Sequence, residues 1–129
     1  MKVCDFGLAR SVDKSDNTTQ PILTDYVATR WYRAPEILLG SNQYAKSADM
    51  WSVGCILAEL LLGKPVFPGT STLNQLDRVM EVTGRPNQAD VDSINSTVAQ
   101  TMLESLPTTK PKKLRDMFPS ASDDAVDMI

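Results

Sequence analysis

The fold is decided by residues 5–36, DFGLARSVDKSDNTTQPILTDYVATRWYRAPE. Three short motifs stand in this stretch: DFG at 5–7, TDY at 24–26 and APE at 34–36. Any one of them alone supports little, since Asp with Gly most often marks a turn. All three in this order and at this spacing are far less common by chance, so the stretch supports an argument about function.

The first motif combines three kinds of residue. Asp5 supplies a hard oxygen ligand, Phe6 an apolar anchor and Gly7 a backbone hinge. Magnesium bound to a nucleotide needs only one or two protein carboxylates in addition to phosphate oxygens. Asp5 is therefore a candidate ligand for such an ion, with Phe6 setting the direction of its carboxylate. The alternative is an ordinary turn.

Residues 10–23 are mostly polar and follow neither a helical nor a strand period, which predicts a surface loop. Thr24 and Tyr26, just after this loop, would be accessible hydroxyls. Phosphorylation of both would add about three to four negative charges, which arginines can bind. Arg10, Arg30 and Arg33 stand in the same stretch. The alternative is that both hydroxyls belong to ordinary loop residues.

Residues 24–39, TDYVATRWYRAPEILL, closely resemble the MAP kinase family. The T-x-Y pair separates this family from the cyclin-dependent kinases, which are similar around WYR at 31–33. Tyr26 and Arg30 count against that alternative. Asp25 is similar to the T-D-Y class, which includes the atypical extracellular-signal-regulated kinases. The resemblance continues through the whole chain.

This resemblance implies a protein-kinase-like fold, α+β as a whole, of which the chain would form the mainly α C-terminal lobe. Residues 1–129 would be a partial kinase domain. Its metal-binding loop and activation segment would occupy 1–36, and the C-lobe helices with the MAP kinase insertion would occupy 37–129. The implied activity is transfer of the ATP γ-phosphoryl, with Mg²⁺, to serine or threonine followed by proline in protein substrates.

Regulation is also implied by the resemblance. An upstream kinase, or the protein itself, would phosphorylate Thr24 and Tyr26. The Thr24 phosphate would then pair with Arg10, and the Tyr26 phosphate with Arg30 and Arg33. The pocket that prefers proline after the target residue would be shaped by four consecutive residues: Val27, Ala28, Thr29 and Arg30.

Further residues receive structural roles by the same resemblance. Thr29 would contact the catalytic aspartate, and Glu36 would pair, buried, with an arginine beyond residue 129. Asp49 and Trp51 belong to a D-x-W-S-x-G pattern in which Asp49 would hold the backbone of the catalytic loop. Phe6 and Gly7 complete the structural set.

Several kinase parts that precede DFG in this family are absent from residues 1–129: a Gly-rich loop, a strand lysine and an H-R-D catalytic loop. We therefore expect the chain to be incomplete at both ends, to lack the catalytic base, and by itself to bind no ATP. A buried Glu36 without its arginine predicts marginal stability. Two alternatives stay open: a binding module without phosphoryl transfer, or a partial sequence whose function belongs to a longer protein.

Composition narrows the class of protein. A net charge of −3 and an isoelectric point of about 4.8 argue against a nucleic-acid binder, and no apolar run is long enough for a membrane span. The basic cluster at 110–115 has no interleaved aromatic residues, which favours a solvated loop. Two cysteines without metal or disulfide spacing favour a reducing cytoplasmic or nuclear setting.

Local patterns also predict the secondary structure. Residues 2–4 should end a strand, with Cys4 as a small buried side chain. A nearly apolar helix, buried all round, should run from about Ser47 to Leu62, with Ser47 as its N-cap and Asp49 in its first turn.

The second half of the chain carries further helical patterns. Thr70 or Ser71 should cap a helix that ends at Gly84. Two weaker amphipathic pieces follow within residues 87–106, and a final helix starts at Ser122 and continues to the last residue. Helical spacing predicts one packed face on this helix, with Leu73, Leu76, Val79 and Met80. By the resemblance, the patch around Leu39, Leu73 and Leu76 corresponds to a docking surface of some MAP kinases. Thr72 and Met102 replace the aromatic residues of that patch, which favours core packing over docking.

Overall fold

The computed structural model describes residues 2–7, 9, 29–41 and 46–129. All regular secondary structure within these ranges is helical. Residues 2–4, which were expected to end a strand, are not part of a strand there. A 3₁₀ turn comes first, followed by seven helices: Arg30–Tyr32, α1 (Pro35–Leu38), α2 (Ser47–Leu62), α3 (Thr72–Thr83), α4 (Gln88–Ile94), α5 (Ala99–Glu104), α6 (Leu114–Met117) and α7 (Asp123–Asp127).

Helix α2 has the bounds that its sequence predicts, but its N-cap differs. Lys46 is the capping residue and makes no side-chain cap, while Ser47 is already helical. Asp49 lies in the first turn, where its charge suits the helix dipole. Gly63 ends the helix in the left-handed region, with φ of 71°, and its N–H donates to the carbonyl of Glu59 at 2.8 Å.

The expectation that α2 is buried all round is wrong for the described part of the chain. Only Cys55 and Ala58 are buried on this helix, because the neighbouring segments contact one side of it. The other side leaves five large apolar residues exposed by 40% or more: Met50, Val53, Ile56, Leu60 and Leu61.

Helix α3 is better explained by its own pattern. Ser71 is the N-cap and accepts the N–H of Asn74 at 3.1 Å, and Gly84 ends the helix with φ of 79°. Its buried face contains Leu76, Val79 and Met80, as expected from helical spacing. Leu73, assigned to the same face, is 42% exposed.

Three hydrophobic clusters form the core. The first joins α1, α3 and α5 and contains Leu39 and Leu76, which confirms core packing for these two residues. The second contains Cys55 of α2, Val79 of α3, and Phe67, which lies between these two helices in the sequence. The third joins α2 to the last two helices through three buried residues: Ala58, Phe118 and Val126.

The C-terminal half agrees with the expected pieces except at its end. Asn87 and Asp90 form a reciprocal capping box at the start of α4. Ser122 caps α7, but that helix ends at Asp127, two residues before the last, so the expectation of a continuing helix is wrong.

The basic cluster is partly neutralised in the fold. Lys112 forms an ion pair with Glu81 of α3, and its N–H donates to the Glu81 carbonyl at 2.6 Å. Arg115 lies 3.4 Å from the Asp123 carboxylate and donates to the carbonyl of Ala121. None of the helices that the structure describes is long and apolar enough to cross a membrane.

Candidate functional site

The candidate magnesium ligand lies on an exposed turn. Asp5 has φ of 65°, in the left-handed region that Asp tolerates better than most residues, and its Oδ1 accepts the N–H of Gly7 at 3.2 Å. A single exposed carboxylate suits a magnesium ion held mainly by phosphate oxygens. The described residues form no group of three or more potential ligands, so they do not suggest an all-protein metal site.

Phe6 is 76% exposed, so the predicted anchoring of Asp5 by this ring is not seen among the described residues. Cys4 is also exposed, and the expectation of a small buried side chain there is wrong. The reason is the same for both, since the described residues offer no apolar surface that covers this turn. Thr24, Tyr26, Val27, Ala28 and Arg10 lie outside the described residues, and their roles stay predictions.

The two remaining phosphate-binding candidates share one turn. Arg30 opens the 3₁₀ turn, and the N–H of Arg33 donates to the Arg30 carbonyl at 3.2 Å to close it. The Arg30 guanidinium lies 3.4 Å from the carbonyl of Thr70, which precedes α3. Thr29 is exposed beside them. The structure thus brings Thr29, Arg30 and Arg33 to one place.

Trp31 attaches this turn to α3 and to the loop that precedes it. Its indole N–H donates to the carbonyl of Gly69 at 2.8 Å. Its own carbonyl accepts from the side-chain amide of Gln75 at 3.4 Å, and the same amide accepts the N–H of Gly69 at 3.0 Å. We call these three hydrogen bonds, which join Trp31, Gly69 and Gln75, the Trp31 network.

Tyr32 attaches the same turn to α2. Its hydroxyl donates to Oε2 of Glu59 at 2.5 Å, and its carbonyl accepts from the hydroxyl of Ser52 at 2.8 Å. The hydrogen bond to Glu59, followed by burial, raises the pKa of Tyr32 above its usual value, so the phenol keeps its proton to higher pH than a free tyrosine does. Two consecutive residues therefore fasten one turn to two different helices.

Glu36 is half-buried at the start of α1, and its side chain has no hydrogen bond or ion pair with the part of the chain described here. It faces a cleft of about 530 Å³ that is also lined by Met80, Arg85 and Ile94. Arg85 is engaged elsewhere, since its guanidinium donates to the carbonyls of Leu103 and Leu106. The arginine that the resemblance assigns to Glu36 is therefore not supplied by the described residues.

The two predicted structural residues of α2 have different surroundings. Asp49 is exposed. Trp51 stacks on Phe67 with ring centroids 5.9 Å apart and an interplanar angle of 14°. Its indole nitrogen is buried without a hydrogen-bond partner among the residues that the structure describes.

Four residues of the site were not found by sequence reasoning: Ser52, Glu59, Gly69 and Gln75. A signal existed for Gln75, because an amide one position before Leu76 stands beside the apolar face of an amphipathic helix. Glu59 also interrupts an apolar run of α2. Neither signal identifies the partner, because the bonds join residues 27 to 44 positions apart.

Comparison with known proteins places this arrangement in a family. Residues 1–121 match the family model described as the protein kinase domain. The chain belongs to the protein kinase family and, within it, resembles the MAP kinases over its whole length.

Individual relatives make the family assignment more specific. The chain is 60% identical over its full length to the extracellular signal-regulated kinase 2 of Dictyostelium discoideum, covering 36% of that protein. It is 50% identical to the mitogen-activated protein kinase 15 of Xenopus laevis, covering 22% of it. It is also 50% identical to the mitogen-activated protein kinase PMK1 of Pyricularia oryzae, covering 36%. The chain thus spans about a third or less of the length of these relatives.

Proposed function

We propose that this chain is the activation segment and part of the C-terminal lobe of a MAP-kinase-like enzyme, which transfers the ATP γ-phosphoryl to serine or threonine of protein substrates. The observation that carries the proposal is the double attachment of residues 30–32, through Trp31 to α3 and through Tyr32 to α2. It holds a turn that begins four residues after the last residue of a T-D-Y motif, and sequence identity to kinases extends over the whole chain.

Within this proposal, Asp5 holds the magnesium ion. Magnesium and ATP, when bound, supply the phosphoryl group and neutralise its charge. The exposed Asp5 carboxylate has the chemistry for that role, because magnesium keeps several non-protein ligands. The catalytic base belongs to the longer protein, since the H-R-D motif is absent from residues 1–129.

The proposal assigns substrate selection to the segment just before the attached turn. Val27, Ala28, Thr29 and Arg30 shape a pocket that accepts proline after the target residue. Support comes from Thr29, which is exposed, and from Arg30, whose guanidinium is held at the Thr70 carbonyl. A pocket built on an attached turn can keep one shape, which selection between similar peptides requires.

Regulation completes the proposal. Phosphates on Thr24 and Tyr26, added by an upstream kinase or by the enzyme itself, would order the segment between DFG and APE by pairing with arginines. Arg30 and Arg33 are suited to bind the Tyr26 phosphate, because they stand on one turn within seven residues of it.

The experiment uses the full-length protein and a peptide that contains one Ser-Pro site. Thr24→Ala and Tyr26→Phe should each lower kcat/KM by at least about tenfold, which equals about 1.4 kcal/mol of transition-state stabilisation. Asp5→Asn should abolish magnesium-dependent turnover. The matched control is Thr19→Ala, in the same loop sequence but outside the motif, which should keep full activity. Unchanged turnover in the first two variants would exclude the proposed phosphorylation switch. Magnesium-dependent turnover by Asp5→Asn would exclude Asp5 as the metal ligand.

A further inference from the structure

The feature that carries a further inference is the buried amide of Gln75. It has no exposed surface, and it is one of two polar side chains that are buried among the described residues. Burying an amide is unfavourable unless its hydrogen bonds are satisfied. On α3 it stands next to Leu76, Val79 and Met80, where an apolar side chain would pack without that requirement. A glutamine here therefore suggests a requirement for its hydrogen bonds.

The two partners of Gln75 determine which group can stand at this position. Its oxygen accepts the N–H of Gly69, and its nitrogen donates to the carbonyl of Trp31. An N–H can only donate and a carbonyl can only accept, so the site needs one acceptor and one donor on the same planar group. An amide supplies both. A carboxylate of the same shape would place an oxygen against the Trp31 carbonyl, and a thioether has no donor for that carbonyl and is only a weak acceptor for the Gly69 N–H.

Gly69 shows how closely the segments approach in this network. A Cβ added to Gly69 would lie 2.6 Å from the Cα of Gln75, a distance that real Cβ atoms essentially never show. Only glycine brings the loop backbone close enough for the 3.0 Å hydrogen bond to the Gln75 amide. The same residue presents its carbonyl to the Trp31 indole at 2.8 Å. The Trp31 network is thus a closed ring of three hydrogen bonds.

We propose that Gln75 is a positioning residue for substrate selection, which acts by fixing the backbone of Trp31 and so the positions of Thr29 and Arg30 just before it. This inference rests on the proposed kinase function. Trp31 directly follows Arg30, and the Arg30 guanidinium is held by Thr70, the neighbour of Gly69. The Trp31 backbone and the Arg30 side chain are therefore both held by hydrogen bonds to residues at or near the start of α3. Loss of the Gln75 amide frees the Trp31 carbonyl and loosens Thr29 and Arg30 together.

The first test compares two peptides, one with Ser-Pro and one with Ser-Ala, as substrates of the full-length enzyme. Gln75→Met keeps the length of the side chain, removes the donor to the Trp31 carbonyl and leaves only a weak acceptor for the Gly69 N–H. We expect the ratio of kcat/KM values, Ser-Pro over Ser-Ala, to fall at least about fivefold, through a rise in KM for the Ser-Pro peptide. KM for ATP should stay within about twofold of the original value, because the proposal gives Gln75 no part in nucleotide binding.

The matched control is Leu76→Val, the next residue of α3, which is also fully buried but belongs to the first hydrophobic cluster and not to the Trp31 network. It should lower the melting temperature and leave the peptide ratio unchanged. An equal loss of peptide ratio in both variants, or an equal rise of the KM values for peptide and ATP in Gln75→Met, overturns the proposal.

A second measurement separates this inference from the proposed function. In the full-length protein labelled with ¹⁵N-tryptophan, the indole signal that disappears in Trp31→Phe belongs to Trp31. Gln75→Met should shift this signal and speed its hydrogen exchange at least about tenfold, while Leu76→Val should not. An unchanged Trp31 signal overturns the positioning role even if the enzyme is active. A shifted signal in a protein without kinase activity supports the positioning of Trp31 and overturns the proposed function and, with it, the role in substrate selection.

Discussion

Single residues of this site work by placing polar atoms inside apolar surroundings. Tyr32 and Glu59 share one short hydrogen bond, and Gln75 satisfies two backbone groups at once. Removing the Gln75 amide leaves the buried N–H of Gly69 unsatisfied, which costs about 1 to 3 kcal/mol. Cys55 lies in the same region, and burial raises the pKa of its thiol to about 11 from the usual 9.0.

The two cysteines should therefore differ in reactivity. The exposed Cys4 should be alkylated by iodoacetamide at pH 8 at least about tenfold faster than Cys55, because the thiolate is the reactive form and the Cys55 thiol stays neutral. Peptide mapping by mass spectrometry after timed labelling gives both rates in one sample. Equal rates under native conditions would contradict the buried, neutral thiol.

The pKa of Cys55 also predicts a stability change, since it is raised above that of the unfolded chain. The stabilisation from keeping this thiol protonated is complete below about pH 9 and is lost as pH rises through about 11. Between these pH values the free energy of unfolding should decline in the unchanged protein. A Cys55→Ala variant should lack the part of this decline that comes from the thiol.

At the scale of secondary structure, helix ends depend on local hydrogen bonds. Ser71 accepts a backbone N–H of the first turn of α3, whereas Ser47 is the first helical residue of α2 and caps nothing. The two serines are both exposed, and each lies at the N-terminal end of a helix. The backbone at the cap position separates them: it is extended at Ser71, which caps α3, and helical at Lys46, which precedes Ser47 and stands at the cap position of α2.

This difference gives a paired test in the full-length protein. Ser71→Ala should lower the free energy of unfolding by about 1 kcal/mol, because the N–H of Asn74 loses its acceptor. Ser47→Ala should change it by less than about 0.5 kcal/mol, as a surface substitution away from any cap. Urea unfolding of both variants measures the difference. A larger loss for Ser47→Ala would mean that Ser47, not Lys46, is the N-cap of α2.

For the molecule as a whole, the uncovered side of α2 is the main feature. This 16-residue helix contributes two buried residues to the described core and exposes five large apolar ones. An apolar surface of this kind is unusual on a soluble protein and marks a contact surface. Since the chain spans about a third or less of its relatives, we expect other segments of the longer protein to cover α2.

Leu60, which is 72% exposed, tests that expectation. In the full-length protein, Leu60→Lys should lower the free energy of unfolding by at least about 2 kcal/mol, since it would bury a charge. In residues 1–129 expressed alone it should leave unfolding unchanged and reduce self-association. Leu76→Ala is the control and should destabilise both forms by about 2 to 5 kcal/mol. Equal, small effects of Leu60→Lys in both forms, measured by thermal unfolding, would show that α2 stays uncovered.

The sequence by itself determined the kinase motifs, the bounds of α2 and the ends of α3, because motifs are local patterns and caps act within one helical turn. Only the tertiary structure decided that Gln75 serves Trp31, that Glu59 serves Tyr32 and that Leu73 faces outward. The two hydrogen bonds join residues that are 27 and 44 positions apart in the sequence. For Leu73, a helical period identifies an apolar face without identifying which segment covers it. Burial and partner choice depend on the packing of distant segments, which no local pattern contains.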